Sequence, residues 1–211
     1  AAMVLFSLLA FGPETWAAFF KGAVFTRHVV LEQGGTGWYK IQSVFSAVRS
    51  LGGSVETAYA IQGTITLSVL LALALGYLLG SIPSGYLAGR WLRGVDIRTL
   101  GSGSTGATNV LRQFGKGPAL VVFLVDVLKG TAAVLLAKAV LEPLGAGAGT
   151  DWVSDSWVVA AGLASLAGHI WPVWLGWRGG KAVATALGML LGLTWPVGLA
   201  CFGVFLAVLS I

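Results

Sequence analysis

The sequence predicts an all-α fold, a polytopic integral membrane helical bundle whose glycine-rich cytoplasmic loops form the functional site. Of 211 residues, 56% are hydrophobic and only 10% are charged, a balance outside the range of ordinary soluble domains. Apolar runs of spanning length recur at residues 64–88, 117–141, 157–177 and 182–211. Lys and Arg gather in some of the connections and acids in another, which assigns sides by the positive-inside rule. The nine Trp and 31 Gly agree, because Trp favours the bilayer interface and Gly is frequent in spanning helices. The net charge of +5 is read as loop charge. No basic stripe or nucleic-acid motif accompanies it, so no nucleic-acid partner is expected.

Two regions differ in texture: an N-terminal extension over residues 1–63 and a membrane domain over residues 64–211. Residues 1–20 are apolar but interrupted by Pro13 and Glu14, and read either as the end of a spanning helix or as a short interfacial segment. The chain lacks an initiating Met and a basic leader, so it is expected to begin within a longer sequence. The Gln-Gly-Gly-Thr-Gly run at 33–37 predicts a loop. Ile41, Val44, Phe45 and Val48 then fall at helical spacing, predicting an amphipathic helix that ends near Gly52 and Gly53. His28 and Glu32 stand at i, i+4, but without a third ligand they read as a solvated helix face. The words RHVVLEQGGTGWYKIQSVFSAVR resemble the tail of certain multi-pass bacterial mannosyltransferase-like membrane proteins.

The run at 64–88 carries no charge until Arg90, and Pro83, flanked by Ser81, Ser84 and Gly85, predicts a kink near its far end. Arg90, Arg93, Arg98 and Lys116 place the following loop on the cytoplasmic side. Within it, GSGSTGATNVLR reads as a phosphate cradle. Gly101, Gly103 and Gly106 can take positive φ and let backbone N–H groups converge on an anion. Ser102, Ser104, Thr105, Thr108 and Asn109 add short donors, and Arg112 can pair with phosphate bidentately. The stretch is neither a P-loop nor a dinucleotide fingerprint, for it lacks the Lys-Ser/Thr ending and follows no strand.

The span at 117–141 carries Asp126 and Lys129 one turn apart, expected either to neutralise one another on an inward face or to lie near the interface, and read as a structural rather than a catalytic pair. Residues 142–156 hold acids without Lys or Arg and are assigned outside. The third span returns to Arg178 and Lys181 on the cytoplasmic side. The last run is broken at Trp195 and Pro196 and reads either as one kinked helix or as two shorter passes. It holds Cys201, the one cysteine, read as a small core residue away from every basic loop. The chain stops inside apolar sequence, so a C-terminal truncation is expected.

Three glycine-rich polar segments, residues 81–90, 101–112 and 169–185, thus share one membrane face. Together they describe a site for a doubly anionic polar substrate with access from the lipid phase. SIPSGYLAGR, GSGSTGATNVLRQFGKGPA and GHIWPVWLGWRGGKAVATALG resemble, in order and spacing, the three signature segments of the bacterial acyl-phosphate:glycerol-3-phosphate acyltransferases, the PlsY family, over about residues 65–211. The resemblance implies transfer of a fatty acyl group from acyl phosphate to the sn-1 hydroxyl of glycerol 3-phosphate. The products would be lysophosphatidate and phosphate, in phospholipid biosynthesis at the cytoplasmic face of the bacterial inner membrane. A monomer among membrane lipids is expected, with no cofactor and no metal.

Carried over by position, the resemblance implies Ser81, His169 and Lys181 as catalytic residues. It implies Arg90, Gly101, Ser102, Gly103, Thr108, Asn109, Arg112, Arg178, Gly179, Gly180 and Thr185 as substrate-binding. The family assigns glycerol 3-phosphate chiefly to the second segment and often has Asn where this chain has Ser104. Its members continue past residue 211 into further spans and a basic tail. Acyl phosphate is already activated, so the protein mainly positions two phosphates and neutralises the leaving group. His169 suits either a general base or a structural hydrogen bond, while the resemblance favours proton removal by a phosphate oxygen with Lys181, Arg112 and Arg90 as clamps. The spare carboxylates are too few for a two-metal centre. A transporter or binding protein for phosphate esters is the rival reading, and the lack of an internal repeat between residues 64–135 and 157–211 argues against it.

Overall fold

A computed structural model describes residues 2–41, 43–141 and 152–209, so most of the acidic connection assigned outside lies beyond the described residues. Among these residues every regular element is helical. Two compact units divide the chain, residues 1–66 and 67–211.

In the first unit, α1 (Ala2–Phe25) kinks at Gly12, whose φ of 74° precedes Pro13. A π-helical turn over Thr26–Glu32 follows, and the 33–37 run is the loop that its glycines predict. Helix α2 (Val44–Ser50) begins where Ser43 Oγ accepts the Ser46 N–H, so the amphipathic helix read from spacing is present. Glu32 holds the unit together. One carboxylate oxygen accepts from Arg27 Nε at 2.9 Å and from the Tyr59 hydroxyl at 3.0 Å, and the other lies 3.1 Å from His28 Nδ1. The Arg27 hydrogen bond, then those of His28 and Tyr59, hold the Glu32 carboxyl down at about 2. Arg49 stacks over Trp38 at 4.4 Å and donates to the Glu32 backbone carbonyl.

Helix α3 (Val55–Gly80) starts at Val55 rather than at residue 64. Ser54 caps it by accepting the Thr57 N–H, and Glu56 favours its first turn, so the polar residues before the apolar run are helical too. The helix breaks before Pro83, which has no N–H to continue the ladder, and resumes as α4 (Ser84–Arg93), closed by Gly94 at φ 67°. Then come α5 (Ala107–Phe114), α6 (Lys116–Leu141), α7 (Trp152–Ile170), α8 (Val183–Leu193) and α9 (Trp195–Leu209). Among the described residues three segments are long and apolar enough to cross a membrane: Val55–Arg93, Lys116–Leu141 and Ser156–Leu175. The final apolar run resolves into two separate helices, α8 and α9, with Thr194 between them and Pro196 in the first turn of α9, where its missing N–H costs nothing.

The second unit's core joins Val69 and Ala72 of α3, Val134 and Ala137 of α6, Val158 and Ala161 of α7, and Met189 of α8. In lipid, association between helices rests on close packing rather than on apolar burial, and here glycines permit it. A Cβ at Gly188 would collide with the Val127 carbonyl, one at Gly130 with the Thr185 carbonyl, and one at Gly80 with the Ser165 carbonyl. Thr131 Oγ1 donates to the Gly188 carbonyl at 2.8 Å, and Lys138 Nζ to the Gly192 carbonyl at 2.9 Å, near the end of α8 that favours a cation.

Gly188→Ala is therefore expected to lower stability by about 1–3 kcal/mol, because α6 backbone must retreat. Gly117→Ala, where a Cβ meets open space, is expected to leave stability unchanged or raise it. Thermal unfolding in detergent compares the two, and equal shifts would contradict this account of the α6–α8 contact.

Candidate functional site

The break before Pro83 frees a carbonyl, and two charged residues of α6 occupy the gap. Lys129 Nζ donates to the Ile82 carbonyl at 2.8 Å, and Ser84 Oγ donates to Asp126 Oδ1 at 2.6 Å. Asp126 and Lys129 pair at 2.8 Å and are both buried, so the neutralisation read from the sequence is present. The same Asp126 oxygen lies 3.6 Å from His169 Nδ1, which is 3.2 Å from Thr185 Oγ1. One carboxylate thus ties side chains of α4, α6 and α7, and Thr185 of α8 joins through His169.

Between α4 and α5 the loop turns on Gly101 and Gly103, at φ 54° and 69°. Gly106 instead is extended, with φ −76°, because it enters α5 rather than making a turn. Buried Asn109 organises this loop from within α5. Its Oδ1 accepts the Ser102 N–H at 3.2 Å, and its Nδ2 donates to the carbonyls of Ser104, Leu100 and Ile97. A Cβ at Gly101 would strike the Asn109 amide oxygen. Arg98 forks onto Asp96 and donates to the Leu175 carbonyl at 2.7 Å, fastening the loop to the α7–α8 connection. That guanidinium holds the Asp96 carboxyl below its usual range.

The α7–α8 connection folds back on the end of α7. Gly179 N–H donates to the Ile170 carbonyl at 3.0 Å and Gly180 N–H to the His169 carbonyl at 3.1 Å. A Cβ at Gly179 would collide with the His169 carbonyl, and one at Gly180 with His169 Nε2. Only glycines allow this approach, which carries the chain past His169 into Lys181.

These segments enclose a cavity of about 540 Å³, lined by Ser102, Ser104, Thr108, Asn109, Arg112, Asp126, His169 and Lys181 together with Phe123, Val183, Leu187, Leu190, Cys201, Phe202 and Phe205. Phe123 and Phe202 stack with centroids 6.2 Å apart. Of the residues expected from sequence, Ser102, Thr108, Asn109, Arg112, His169 and Lys181 meet here. Ser81, Arg90, Gly101, Gly103, Arg178, Gly179, Gly180 and Thr185 are not in the lining. Ser81 is fully buried and donates to the Tyr77 carbonyl, while Arg90 is exposed with Nε on the Tyr86 hydroxyl. Arg178 is exposed, and Thr185 is buried against His169.

Cys201 corrects the sequence reading: it is exposed and lines the same cavity as Lys181. Its surroundings in sequence are apolar on all sides, so nothing marked which face of α9 it would occupy. The sequence marks Asp126 only as a charge partner, whereas the structure places it in the lining. The signal was available in an acid carried at membrane depth.

Comparison with known proteins follows the same outline. A model of the glycerol-3-phosphate acyltransferase family matches residues 70–211, and one of glycosyltransferase family 87 matches residues 1–94. The chain is 69% identical over 147 residues to a glycerol-3-phosphate acyltransferase of Parasynechococcus marenigrum (strain WH8102), covering 70% of this chain and 64% of that protein. It is 71% identical over 145 residues to the protein of that name from Synechococcus sp. (strain CC9902), covering 69% and 67%. It therefore spans about two thirds of the length of these relatives. A crystal structure of PlsY, an integral membrane glycerol 3-phosphate acyltransferase in its glycerol 3-phosphate form, superposes with a TM-score of 0.57 at 42% identity, over 67% of this chain and 65% of that one. A second, in the lysophosphatidic acid form, gives 0.55 at 41% identity. On the family match over residues 70–211 and these identities, the chain belongs to the glycerol-3-phosphate acyltransferase family.

Proposed function

We propose that this membrane protein transfers a fatty acyl group from acyl phosphate to the sn-1 hydroxyl of glycerol 3-phosphate, giving lysophosphatidate and phosphate for phospholipid biosynthesis. One observation carries the reading: a single cavity joins Arg112, Lys181, His169 and the hydroxyls of Ser102, Ser104 and Thr108 to Phe123, Leu187, Leu190 and Phe202. Such a lining suits two phosphate groups and one hydrocarbon chain. The names of the relatives, and the two forms in which the similar structures were solved, support it.

In this reading Lys181 and Arg112 clamp the phosphates, and Ser102, Thr108 and the loop backbone orient glycerol 3-phosphate. The sn-1 oxygen attacks the acyl carbon, the bond from that carbon to the phosphate oxygen breaks, and the hydroxyl proton passes to a phosphate oxygen. With Nδ1 near Asp126 and Thr185, His169 directs Nε2 toward Gly180 and the phosphate clamp. Ser81, Arg90, Gly101, Gly103, Arg178, Gly179, Gly180 and Thr185 contribute by shaping or charging the loops around it. Arg90, Arg93, Arg98, Lys116, Arg178 and Lys181 favour a cytoplasmic site in the bacterial inner membrane. The acyltransferase domain is residues 64–211, residues 1–63 are an extension, and the protein acts as a monomer without cofactor or metal.

The test is phosphate release from palmitoyl phosphate by the purified protein, expected only when glycerol 3-phosphate is present and with lysophosphatidate as co-product. Uptake of unmodified glycerol 3-phosphate into vesicles, without phosphate release, would support the transporter reading instead. Within that assay Arg112→Ala is expected to raise KM for glycerol 3-phosphate by about tenfold or more, since a charged phosphate contact is worth roughly 1.5–3 kcal/mol. A raised KM for acyl phosphate alone would reverse the assignment.

Because Cys201 lines the cavity, it is the thiol that a covalent route would use. Direct transfer predicts that Cys201→Ala still turns over and that intact-mass measurement after incubation with acyl phosphate shows no adduct. A stoichiometric acyl group on any side chain would contradict direct transfer.

A further inference from the structure

We infer that the α7–α8 connection, Trp171-Pro-Val-Trp-Leu-Gly-Trp-Arg178, is an interfacial anchor that docks on the headgroup layer of an anionic bilayer. Trp171, Val173, Trp174 and Trp177 all turn outward, Trp174 at 63% and Trp177 at 60% exposure. This exposure is built into the fold. The Tyr77 hydroxyl donates to the Trp171 carbonyl and Arg98 Nη1 to the Leu175 carbonyl, each at 2.7 Å, and the Leu175 side chain is buried. A segment pinned at both of these carbonyls presents its indoles as a fixed surface.

Trp177 adds a sharper observation. Its φ is 64°, directly after Gly176 at 60°, a left-handed conformation that residues with a Cβ rarely adopt. The exposed ring gains little packing inside the molecule from that strain. An indole, with an apolar body and one N–H donor, suits the bilayer interface. The candidate span Ser156–Leu175 ends inside this connection, a place in the chain that suits the membrane surface.

Charge selects the kind of lipid. No Asp or Glu occurs from residue 156 to residue 211, whereas Arg178 and Lys181 follow the Trp cluster. Arg178 is exposed and has no ion pair among the described residues. The surface complements phospholipids with a net negative headgroup. The inferred partner is the bilayer's own anionic phospholipid rather than a substrate. Since Gly179 and Gly180 bond back to Ile170 and His169, docking would also set the height of Lys181 relative to the headgroups.

Two measurements on the full chain test this, and neither reads acyl transfer. In a Cys201→Ala background, nitroxides attached at Trp174→Cys and Trp177→Cys are examined by power saturation in vesicles of phosphatidylcholine with phosphatidylglycerol. Both labels are expected to collide with oxygen and to be shielded from an aqueous nickel chelate. Free access of the chelate would overturn the inference. The second measurement is thermal stability in detergent as phosphatidylglycerol is added. Trp177→Gly suits φ 64°, so it is expected to match or exceed the parent without lipid yet to lose most of the lipid-induced gain, and Arg178→Gln to lose part of it. A Trp177→Gly protein that is destabilised without lipid, or that keeps the full gain, would contradict the anchor.

Discussion

The buried pair of Asp126 and Lys129 is the interaction on which the second unit depends. An isolated charge at membrane depth is costly, and a broken helix exposes carbonyl and N–H groups that lipid cannot satisfy. Here each problem answers the other. Lys129 takes the Ile82 carbonyl just past the end of α3, while Asp126 accepts from the Ser84 hydroxyl at the start of α4, so each charge lies near the helix end whose dipole favours it. Without the break the two charges would have only one another, and without Lys129 the Ile82 carbonyl would lose its side-chain donor.

That arrangement lets polar chemistry sit among apolar helices. Asp126 reaches toward His169, His169 toward Thr185, and Gly180 closes over the imidazole, so the cation-bearing segment at Lys181 inherits its position from the same core. On the other side of the cavity's lining, Asn109 uses its whole amide to hold the Ser102–Ser104 loop in shape. Its role is to present hydroxyls and N–H groups, whereas Arg112 supplies charge. Division of labour between shape and charge suits the proposed reaction, in which the acyl group arrives already activated.

Much of this was legible in the sequence. Long apolar runs marked the spans, Pro83 marked the break, a Lys three residues after an Asp marked the pair, and glycine with hydroxyl residues marked the loops. What escaped notice has physical reasons. Helix α3 starts at Val55 because Ser54 caps it, a local hydrogen bond that outweighs the hydropathy boundary at residue 64. The face of α9 that carries Cys201 was unreadable because a helix apolar all round gives no phase. Gly106 resembles its neighbours in composition, yet it leads into α5, so only the position of a helix start tells it apart. Ser81 and Ser84 flank the same break, and which of them reaches Asp126 is decided by the register of α4 after Pro83.

A double-mutant cycle on the pair tests the central claim most directly, read as unfolding free energy in detergent. Asp126→Asn and Lys129→Met are each expected to cost about 3–5 kcal/mol, because either leaves one buried charge without its partner, and the double variant is expected to lose less than either single change. Losses that simply add would mean that the two residues act independently and that the break before Pro83 is held by something else.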